Sequence, residues 1–246
     1  MKKVVLTFDD ARKDFVTNAF PLLNKYNFKA TLYVVGGYVE GFIEPDFSDV
    51  CTIKDIDLLF NNGIEIGNHT YSHGRLVSFN DLEKNHFFLK RYSPSTIAIP
   101  YYNMPSKECI EFLSKYNYSY IRVGEKKSSF NLKRKILSFL FLITKNKKIH
   151  EACLLLDKRK NVIKEKKHNI VNSIMVLDSH SPQYLVQLVK KMKKNDTIIF
   201  TFHSIKNKND NFIDFYEQGS WSEEKFELFL KLLKEQKVTS IRMKDL

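Results

Sequence analysis

Eight short apolar runs alternate along this 246-residue chain with segments that carry apolar residues at helical spacing. The runs lie at about 3–8, 30–35, 63–67, 96–100, 118–123, 170–178, 197–203 and 238–242, and the helical segments at about 13–27, 52–62, 79–92, 105–117, 182–194 and 222–236. Strands that alternate with helices predict an α/β fold in which helices cover a parallel sheet. Eight strands are enough for a (β/α) barrel, and we expect one domain over 1–246.

Start signals accompany several of the predicted helices. Thr52 and Ser106 are residue types that cap helix N-termini, and Pro182 suits a first helical turn. Ser220 with Glu223 has the spacing of a capping box. These signals predict where four of the helices begin.

Polar side chains follow the ends of five predicted strands. They are Asp9-Asp10, Asn68-His69, Pro100-Tyr101, Asp178 and His203. The carboxyl ends of the strands are where (β/α) barrels assemble their active sites, so the pattern predicts one site built from five separated segments. Each segment also has a plain structural explanation: paired aspartates form turns and helix caps, histidines can be buried for packing, and a Pro-Tyr pair can simply end a strand.

Two histidines have the spacing of metal ligands. His69 and His73 are four residues apart, and on a helical turn they would project from one face. Neutral imidazole is a common ligand of zinc-like ions, but a catalytic site needs a third protein ligand. Asp9 and Asp10 can provide it, because adjacent side chains at a strand end point to opposite sides, and one carboxylate can bind the metal while the other acts as a base.

These motifs resemble a known family. Thr7-Phe8-Asp9-Asp10 and Asn68-His69-Thr70-x-x-His73 are similar to the first two motifs of the polysaccharide deacetylases, carbohydrate esterases with the NodB homology domain. Ile198-Ile199-Phe200-Thr201-Phe202-His203 is similar to the family's final histidine-bearing strand. The resemblance implies a distorted (β/α) barrel of seven or eight mainly parallel strands that removes N-acyl or O-acyl groups from sugars with one divalent metal ion, zinc being the leading candidate.

The resemblance also implies a role for each matching residue. Asp10, His69 and His73 would be the metal ligands, Asp9 the general base and His203 the general acid. The backbone N–H of Tyr101, in Ile99-Pro100-Tyr101, would hold the oxyanion, which makes Pro100 and Tyr101 substrate-binding residues.

Three positions depart from the family pattern. Ala98 occupies the place of an arginine that orients the base, and Arg122, at another strand end, could reach in instead. The fourth motif, an aspartate with a tryptophan, has its nearest match at Asp178, which could orient His203 as a supporting carboxylate. Thr201 replaces a leucine that lines the acyl pocket, so we expect a more polar or smaller pocket there.

A basic segment at about 126–168 interrupts the alternation. It contains fourteen lysines and arginines but three acidic residues, which concentrates eleven of the twelve net positive charges of the chain. Inside it, residues 136–143 are apolar almost all round and too few to span a bilayer. Such a segment can contact an anionic membrane surface or a lipid carrier. The alternative is an extra helix packed on the barrel with a solvated basic loop.

Composition narrows the compartment and the partners. The chain has three cysteines, an odd number, and they are widely spaced at Cys51, Cys109 and Cys153. This pattern predicts reduced thiols in packed positions. The chain begins without a signal-peptide pattern, so we expect a cytoplasmic protein, peripheral at the inner face of the membrane if the basic segment binds lipid. That location favours a sugar nucleotide, a lipid-linked sugar or another small acylated sugar as substrate.

Three functions remain open from the sequence. The first is an active metal-dependent sugar deacylase. The second is a carbohydrate-binding relative with weakened catalysis, which Ala98 and the poor fourth motif would explain. The third is a nucleic-acid-binding protein, which the basic segment would suit but which lacks a recognisable reading motif.

Overall fold

Nine of the eleven described strands of the computed structural model fall in the predicted apolar runs. Two short strands, Ser204–Lys206 and Ser220–Ser222, which pair with each other, were not predicted. The described residues are 1–47, 49–125, 169–207 and 219–246, with 136, 139, 140, 142–144, 149 and 163 between them. The strands are β1 (Lys3–Phe8), β2 (Thr31–Val34), β3 (Glu65–Asn68), β4 (Thr96–Ala98), β5 (Tyr120–Val123), β6 (Ile170–Asn172), β7 (Ile174–Met175), β8 (Thr197–Phe202), β9 (Ser204–Lys206), β10 (Ser220–Ser222) and β11 (Thr239–Ile241).

Eight of these strands form a nearly closed parallel barrel, which confirms the predicted fold class. Their order is β6-β5-β4-β3-β2-β1-β8-β7, and every described pair is parallel. The two ends of this order are β6, which pairs with β5, and β7, which pairs with β8. Only one residue of the chain, Ser173, separates β6 from β7. The sheet therefore curls until its edges meet. β11 pairs with the first half of β1 as a ninth strand.

Helices cover the outside of the barrel. They are α1 (Phe20–Tyr26), α2 (Gly36–Val39), α3 (Ile53–Asn61), α4 (Phe79–Leu89), α5 (Lys107–Tyr116), α6 (Pro182–Lys190) and α7 (Glu223–Glu235). Thr52 begins α3 with a full capping box to Asp55, Ser106 caps α5, and Pro182 occupies the first turn of α6, all as predicted.

One predicted helix cap is wrong, and one correctly predicted helix begins with a different type of turn. Ser222, not Ser220, caps α7, because α7 begins at Glu223 and the hydroxyl of Ser222 accepts from the backbone N–H of Lys225 at 3.2 Å. The helical segment at 13–27 begins as a π-helical turn over Phe15–Ala19 before α1. The wider turn places Asn18 in the interior, where its side-chain amide donates to the carbonyl of Ile205 at 2.7 Å.

Packing separates an apolar shell from a partly polar barrel interior. Apolar side chains of the strands and helices fill the shell, including Leu6, Phe200 and Phe229, none of which is exposed. The interior contains buried polar side chains, and Tyr33 donates there to the hydroxyl of Thr96 at 3.2 Å. Burial of apolar area is the main force that stabilises such a shell, at about 25 cal/mol per Å². Polar groups inside survive because they are hydrogen-bonded to one another.

Some sequence predictions concern residues outside this description. The basic segment 126–168 and Cys153 lie outside it, apart from the isolated positions given above. Cys51 and Cys109 are free and buried, in agreement with the prediction of packed thiols. Within the part of the chain that is described, none of the helices has the length and hydropathy that crossing a bilayer requires.

Gly67 offers a test of how tightly the barrel interior is packed. A methyl group added at Gly67 would lie 2.5 Å from the ring of Tyr33, which is fully buried. We expect Gly67→Ala to lower the free energy of unfolding by about 1–3 kcal/mol, the usual cost of overpacking. Gly74→Ala is the control, since its methyl would approach no atom closer than the hydroxyl of Ser72, at 3.2 Å, and the carbonyl oxygen of Leu76, at 3.5 Å. Equal urea-unfolding curves for the two variants would contradict this packing.

Candidate metal and catalytic site

The carboxyl ends of four barrel strands meet at one cavity of about 320 Å³. Asp9 and Asp10 follow β1, His69 follows β3, Tyr101 follows β4 and His203 follows β8. The residues that line the cavity are Asp9, Asp10, Arg12, Tyr38, Asp46, His69, His73, Arg75, Ile99, Tyr101, Tyr102, Met175, His203 and Gly219. The predicted convergence of the motifs is therefore seen for four of the five segments.

Asp10, His69 and His73 form a compact cluster of ligand atoms. The Oδ1 atom of Asp10 lies 3.4 Å from Nε2 of His69 and 3.2 Å from Nε2 of His73. One ligand atom from each residue can be chosen so that all three lie within 4.8 Å of one another, and Asp10 and His69 are buried. This is the set of one carboxylate and two imidazoles that the sequence suggested.

Hydrogen bonding shows that this cluster fits a cation. Nδ1 of His69 lies 2.8 Å from the carbonyl oxygen of Ala98, which can only accept, so Nδ1 carries the proton. In the neutral ring Nε2 is then a bare lone pair, and it faces the carboxylate of Asp10. Two acceptors held together in a buried place are unfavourable unless a positive charge lies between them. The donor set of two nitrogens and one oxygen suits zinc and similar divalent ions.

Nearby charges act on the same residues. Burial raises the pKa of Asp10, but the contact with His69 and the charges of His73 and Arg12 outweigh it and hold that pKa well below its ordinary value. Nε of Arg12 lies 3.5 Å from Oδ2 of Asp10. Burial lowers the pKa of His69, but the charges of Asp9 and Asp10 outweigh it, and that pKa is raised. Asp10 is thus an anion at neutral pH.

The two histidines are not on a helix, which corrects the reason for their spacing. Residues 69–74 form an irregular turn in which His73 donates its backbone N–H to the hydroxyl of Thr70 at 3.0 Å. Thr70 and His73 have positive φ angles of 64° and 54°, and Asp10 has one of 73°. Non-glycine residues rarely adopt this conformation, and strain of this kind is typical of functional sites. The turn brings the imidazole rings to 5.0 Å between centroids.

Arg122 holds Asp9 in place of the missing arginine. Its Nη2 atom lies 2.6 Å from Oδ2 of Asp9, and both side chains are buried. Ala98 is the register partner of Arg122 across β4 and β5, so the guanidinium enters from the neighbouring strand at the same level of the barrel. The paired carboxylates consequently have different surroundings: Asp9 faces a permanent cation, and Asp10 faces two imidazoles.

Thr201 supports this ion pair and does not line the cavity, contrary to its predicted place in an acyl pocket. Its hydroxyl accepts from Nη1 of Arg122 at 2.8 Å and lies 3.0 Å from the hydroxyl of Thr7. It is fully buried inside the barrel. A leucine at position 201 could not accept this hydrogen bond, so an arginine on β5 at this level requires a residue such as threonine at position 201. Pro100 is buried as well, and its neighbours Ile99 and Tyr101 face the cavity.

His203 lies beside Asp9 but not beside Asp178. Nε2 of His203 is 4.0 Å from Oδ2 of Asp9 and 3.3 Å from the hydroxyl of Tyr102. Asp178 is exposed and pairs with Lys225 at 2.5 Å, so its predicted contact with His203 is not formed. Burial lowers the pKa of His203 despite the charges of Asp9 and Asp10.

Sequence reasoning missed two residues of the site. Arg12, two residues beyond Asp10, is buried with its guanidinium 4.0 Å from the centre of the Phe47 ring. Tyr102 follows Tyr101 at the strand end and contacts His203. The adjacency of each to a motif residue was the available signal, but neither residue type has an evident role until the fold places it in the cavity.

Fold and site together define a parallel (β/α) barrel with a cluster of one carboxylate and two imidazoles at the carboxyl ends of its strands. Residues 1–121, just under half of the chain, match the family model described as polysaccharide deacetylase. A peptidoglycan-N-acetylglucosamine deacetylase of Bacillus cereus is 32% identical over 109 residues. The match covers 40% of this chain and 36% of the relative, so the chain matches little more than a third of that protein's length.

Solved structures share the fold at low sequence identity. A family 4 acetyl xylan esterase from Clostridium thermocellum, in complex with a cobalt ion, has a TM-score of 0.53 at 16% identity, covering 99% of this chain and 89% of that chain. A mutant of a CE4 family pseudoenzyme has a TM-score of 0.54 at 14% identity, covering 99% of this chain and 66% of the other. These likenesses support the barrel and say nothing further about activity.

Arg122 should be far more important for stability than an exposed cation. We expect Arg122→Gln to lower the free energy of unfolding by about 3–5 kcal/mol, because it leaves the buried carboxylate of Asp9 without its partner. Lys225→Gln, which breaks the exposed pair with Asp178, is the matched control and should cost less than about 1 kcal/mol.

The double variant Asp9→Asn with Arg122→Gln completes the test. Removing both charges should cost less than the sum of the two single changes, because no unpaired buried charge remains. Urea unfolding of the four proteins measures the coupling. The buried ion pair would be contradicted if the losses in free energy of unfolding were additive in the double variant, or if Arg122→Gln and Lys225→Gln lost the same amount.

Proposed function

We propose that the protein is a metal-dependent hydrolase that removes an N-acyl group, acetyl or formyl, from a sugar or sugar conjugate. The observation that carries the proposal is the division between the paired carboxylates. Asp10 lies against two imidazole nitrogens, whereas Asp9 lies against Arg122, 3.9 Å from Nε2 of His69. A deacylase needs this division, since one carboxylate must bind the metal and the other must remain free to accept a proton.

Asp10, His69 and His73 would hold one divalent ion, with zinc as the leading candidate. When bound, the ion would polarise the substrate carbonyl and lower the pKa of water at the site. The buried acceptor atoms described above support this assignment. The identity of the ion remains a prediction.

Asp9 would act as the general base. Its Oδ2 atom is bound by Arg122, which fixes the carboxylate, and its Oδ1 atom has no hydrogen-bond partner within the described residues. That free atom is available to accept a proton from the attacking water. The buried, permanently charged guanidinium keeps the carboxylate oriented while the proton is transferred.

Tyr101 and His203 would complete the reaction. The backbone N–H of Tyr101 would stabilise the oxyanion, in a segment with a positive φ angle of 55° at Tyr101. His203 would provide the proton that the leaving amine needs, as a general acid close to Asp9. Both roles are extensions of the family resemblance to residues that line this cavity.

A second candidate is a carbohydrate-binding relative with weakened catalysis. Its support is the exposed position of Asp178, which leaves Nδ1 of His203 without a carboxylate among the described residues. Against it stands Arg122, which restores an arginine to the base although Ala98 cannot provide one. A nucleic-acid-binding role has no support beyond the charge of the segment 126–168.

The substrate class follows from the family and from charge. An acetylated sugar is the general expectation for the family, and we propose a lipid-linked or nucleotide-linked sugar, because eleven of the twelve net positive charges lie in one segment. That segment would bring the protein to an anionic membrane surface. A cytoplasmic location, peripheral at the membrane, remains a sequence-based prediction.

The two aspartates should be separable by experiment. Asp10→Asn and His73→Ala should lose bound zinc, because each removes one of three ligands. Asp9→Asn should keep zinc while activity on an N-acetylated sugar falls by about 10²–10⁴-fold, the usual contribution of a positioned base. Elemental analysis and acetate release measure the two properties. If Asp9→Asn and Asp10→Asn lost zinc equally, the assigned division of roles would be wrong.

The basic segment should bind anionic lipid. We expect the protein to sediment with vesicles rich in phosphatidylglycerol at low salt and to dissociate as salt screens the charges. Replacing Lys145, Lys147 and Lys148 with glutamate should weaken binding without changing hydrolysis of a small soluble substrate. The same charge change at three exposed lysines of the described part, Lys54, Lys107 and Lys194, is the control. Equal weakening by both triple variants would show that only net charge matters.

A further inference from the structure

Tyr102 is fixed in the cavity by an unusual local backbone. Tyr101 and Tyr102 both have positive φ angles, 55° and 56°, directly after β4. Tyr102 packs against Gly124, where an added methyl group would lie 2.2 Å from its Cβ. Two successive left-handed residues and a required glycine are costly, and such strain persists where the surrounding structure holds it. The result is a tyrosine ring that lines the cavity.

The hydroxyl of Tyr102 is placed on the reactive nitrogen of His203. Its Oη atom lies 3.3 Å from Nε2, and the two rings meet edge to face with centroids 6.1 Å apart. The guanidinium carbon of Arg122 is 5.6 Å from the centre of the phenol ring. Burial, with the charge of Asp9, raises the pKa of Tyr102 well above its ordinary value, so the phenol keeps its proton.

The other ring nitrogen decides how this hydrogen bond runs. Nδ1 of His203 is buried and has no hydrogen-bond partner among the described residues. An orphan N–H is rarer in proteins than an unused lone pair, so the neutral ring carries its proton on Nε2. Nε2–H therefore donates to the oxygen of Tyr102. The phenol's own proton is then left to be donated into the cavity.

We propose that Tyr102 is a catalytic residue, which passes the proton of His203 to the leaving nitrogen of the substrate. The inference rests on the proposed function and adds to it the path of the proton. Because Tyr102 lies on Nε2 and Nδ1 has no partner in the described part of the chain, the proton of His203 reaches the cavity through the phenol.

The step balances without another reactant. As the C–N bond breaks, its electron pair stays on nitrogen and the phenol proton of Tyr102 forms the new N–H bond. The reacting form of His203 is the imidazolium, with a proton on each ring nitrogen. Its Nε2 proton moves to the phenol oxygen, so Tyr102 is again a phenol and His203 is left neutral, with its remaining proton on Nδ1 and Nε2 free to be protonated again. Asp9 holds the proton taken from water, 4.0 Å from Nε2, and returns it to the ring afterwards.

The kinetic test separates proton delivery from structure. Tyr102→Phe keeps the ring but removes the hydroxyl, and zinc-loaded protein is assayed on the trimer of N-acetylglucosamine and on 4-nitrophenyl acetate. We expect kcat for the amide to fall by about 10²-fold, because an amine must be protonated to leave. The ester should keep its kcat within about threefold, because nitrophenolate leaves without a proton.

Tyr118→Phe is the matched control. The hydroxyl of Tyr118 lies 3.0 Å from Nδ1 of His86, so the change breaks another tyrosine–histidine hydrogen bond, outside the cavity. Tyr118→Phe should leave kcat unchanged for both the amide and the ester. Equal amide kcat for Tyr102→Phe and wild type would overturn the relay, and so would an equal loss on amide and ester.

A second measurement does not depend on activity. In ¹⁵N NMR of the protein without added metal, with His203→Ala to assign the ring, wild type should show the proton of neutral His203 on Nε2. Tyr102→Phe should shift the Nε2 signal, whereas Tyr118→Phe should not. A proton on Nδ1 would overturn the relay even if the enzyme is active. If wild type hydrolysed neither probe, this spectrum would still decide the hydrogen bond between Tyr102 and His203, and with it the relay.

Discussion

The buried ion pair between Arg122 and Asp9 is the interaction on which the rest of the site depends. A carboxylate without exposure to water is costly, and a guanidinium 2.6 Å away makes its charge tolerable. The hydroxyls of Thr201 and Ser173 accept hydrogen bonds from Nη1 of the same guanidinium, at 2.8 Å and 3.2 Å. The pair therefore links β1, β5, β8 and the residue that joins the barrel edges.

That link explains why the two aspartates can differ. With Asp9 held by a permanent cation, Asp10 is left to face His69 and His73, and its left-handed backbone turns it toward them. His69 is itself aimed by its hydrogen bond to the carbonyl of Ala98. A backbone carbonyl thus orients a candidate metal ligand, as hydrogen-bond partners outside the ligand set do in metal sites.

Strain is concentrated at the same end of the barrel. Asp10, Ala11, Thr70, His73, Tyr101 and Tyr102 are non-glycine residues with positive φ, and all lie in the loops around the cavity. A packed barrel with an apolar shell provides the stability that such loops require. The backbone strain is confined to these loops. It holds a set of side chains facing one another before substrate binds.

The sequence by itself determined the alternation of strands and helices, the barrel, and the segments that carry Asp9, Asp10, His69, His73, Tyr101 and His203. These follow from local periodicity and from short motifs, which depend on neighbouring residues alone. Only the tertiary structure decided that Arg122 replaces the absent arginine at Ala98, that Thr201 supports it inside the barrel, that Asp178 pairs with Lys225, and that Tyr102 contacts His203. The reason is physical: these contacts join residues from 47 to 113 positions apart, and their partners are set by strand register and loop backbone, which no local pattern encodes.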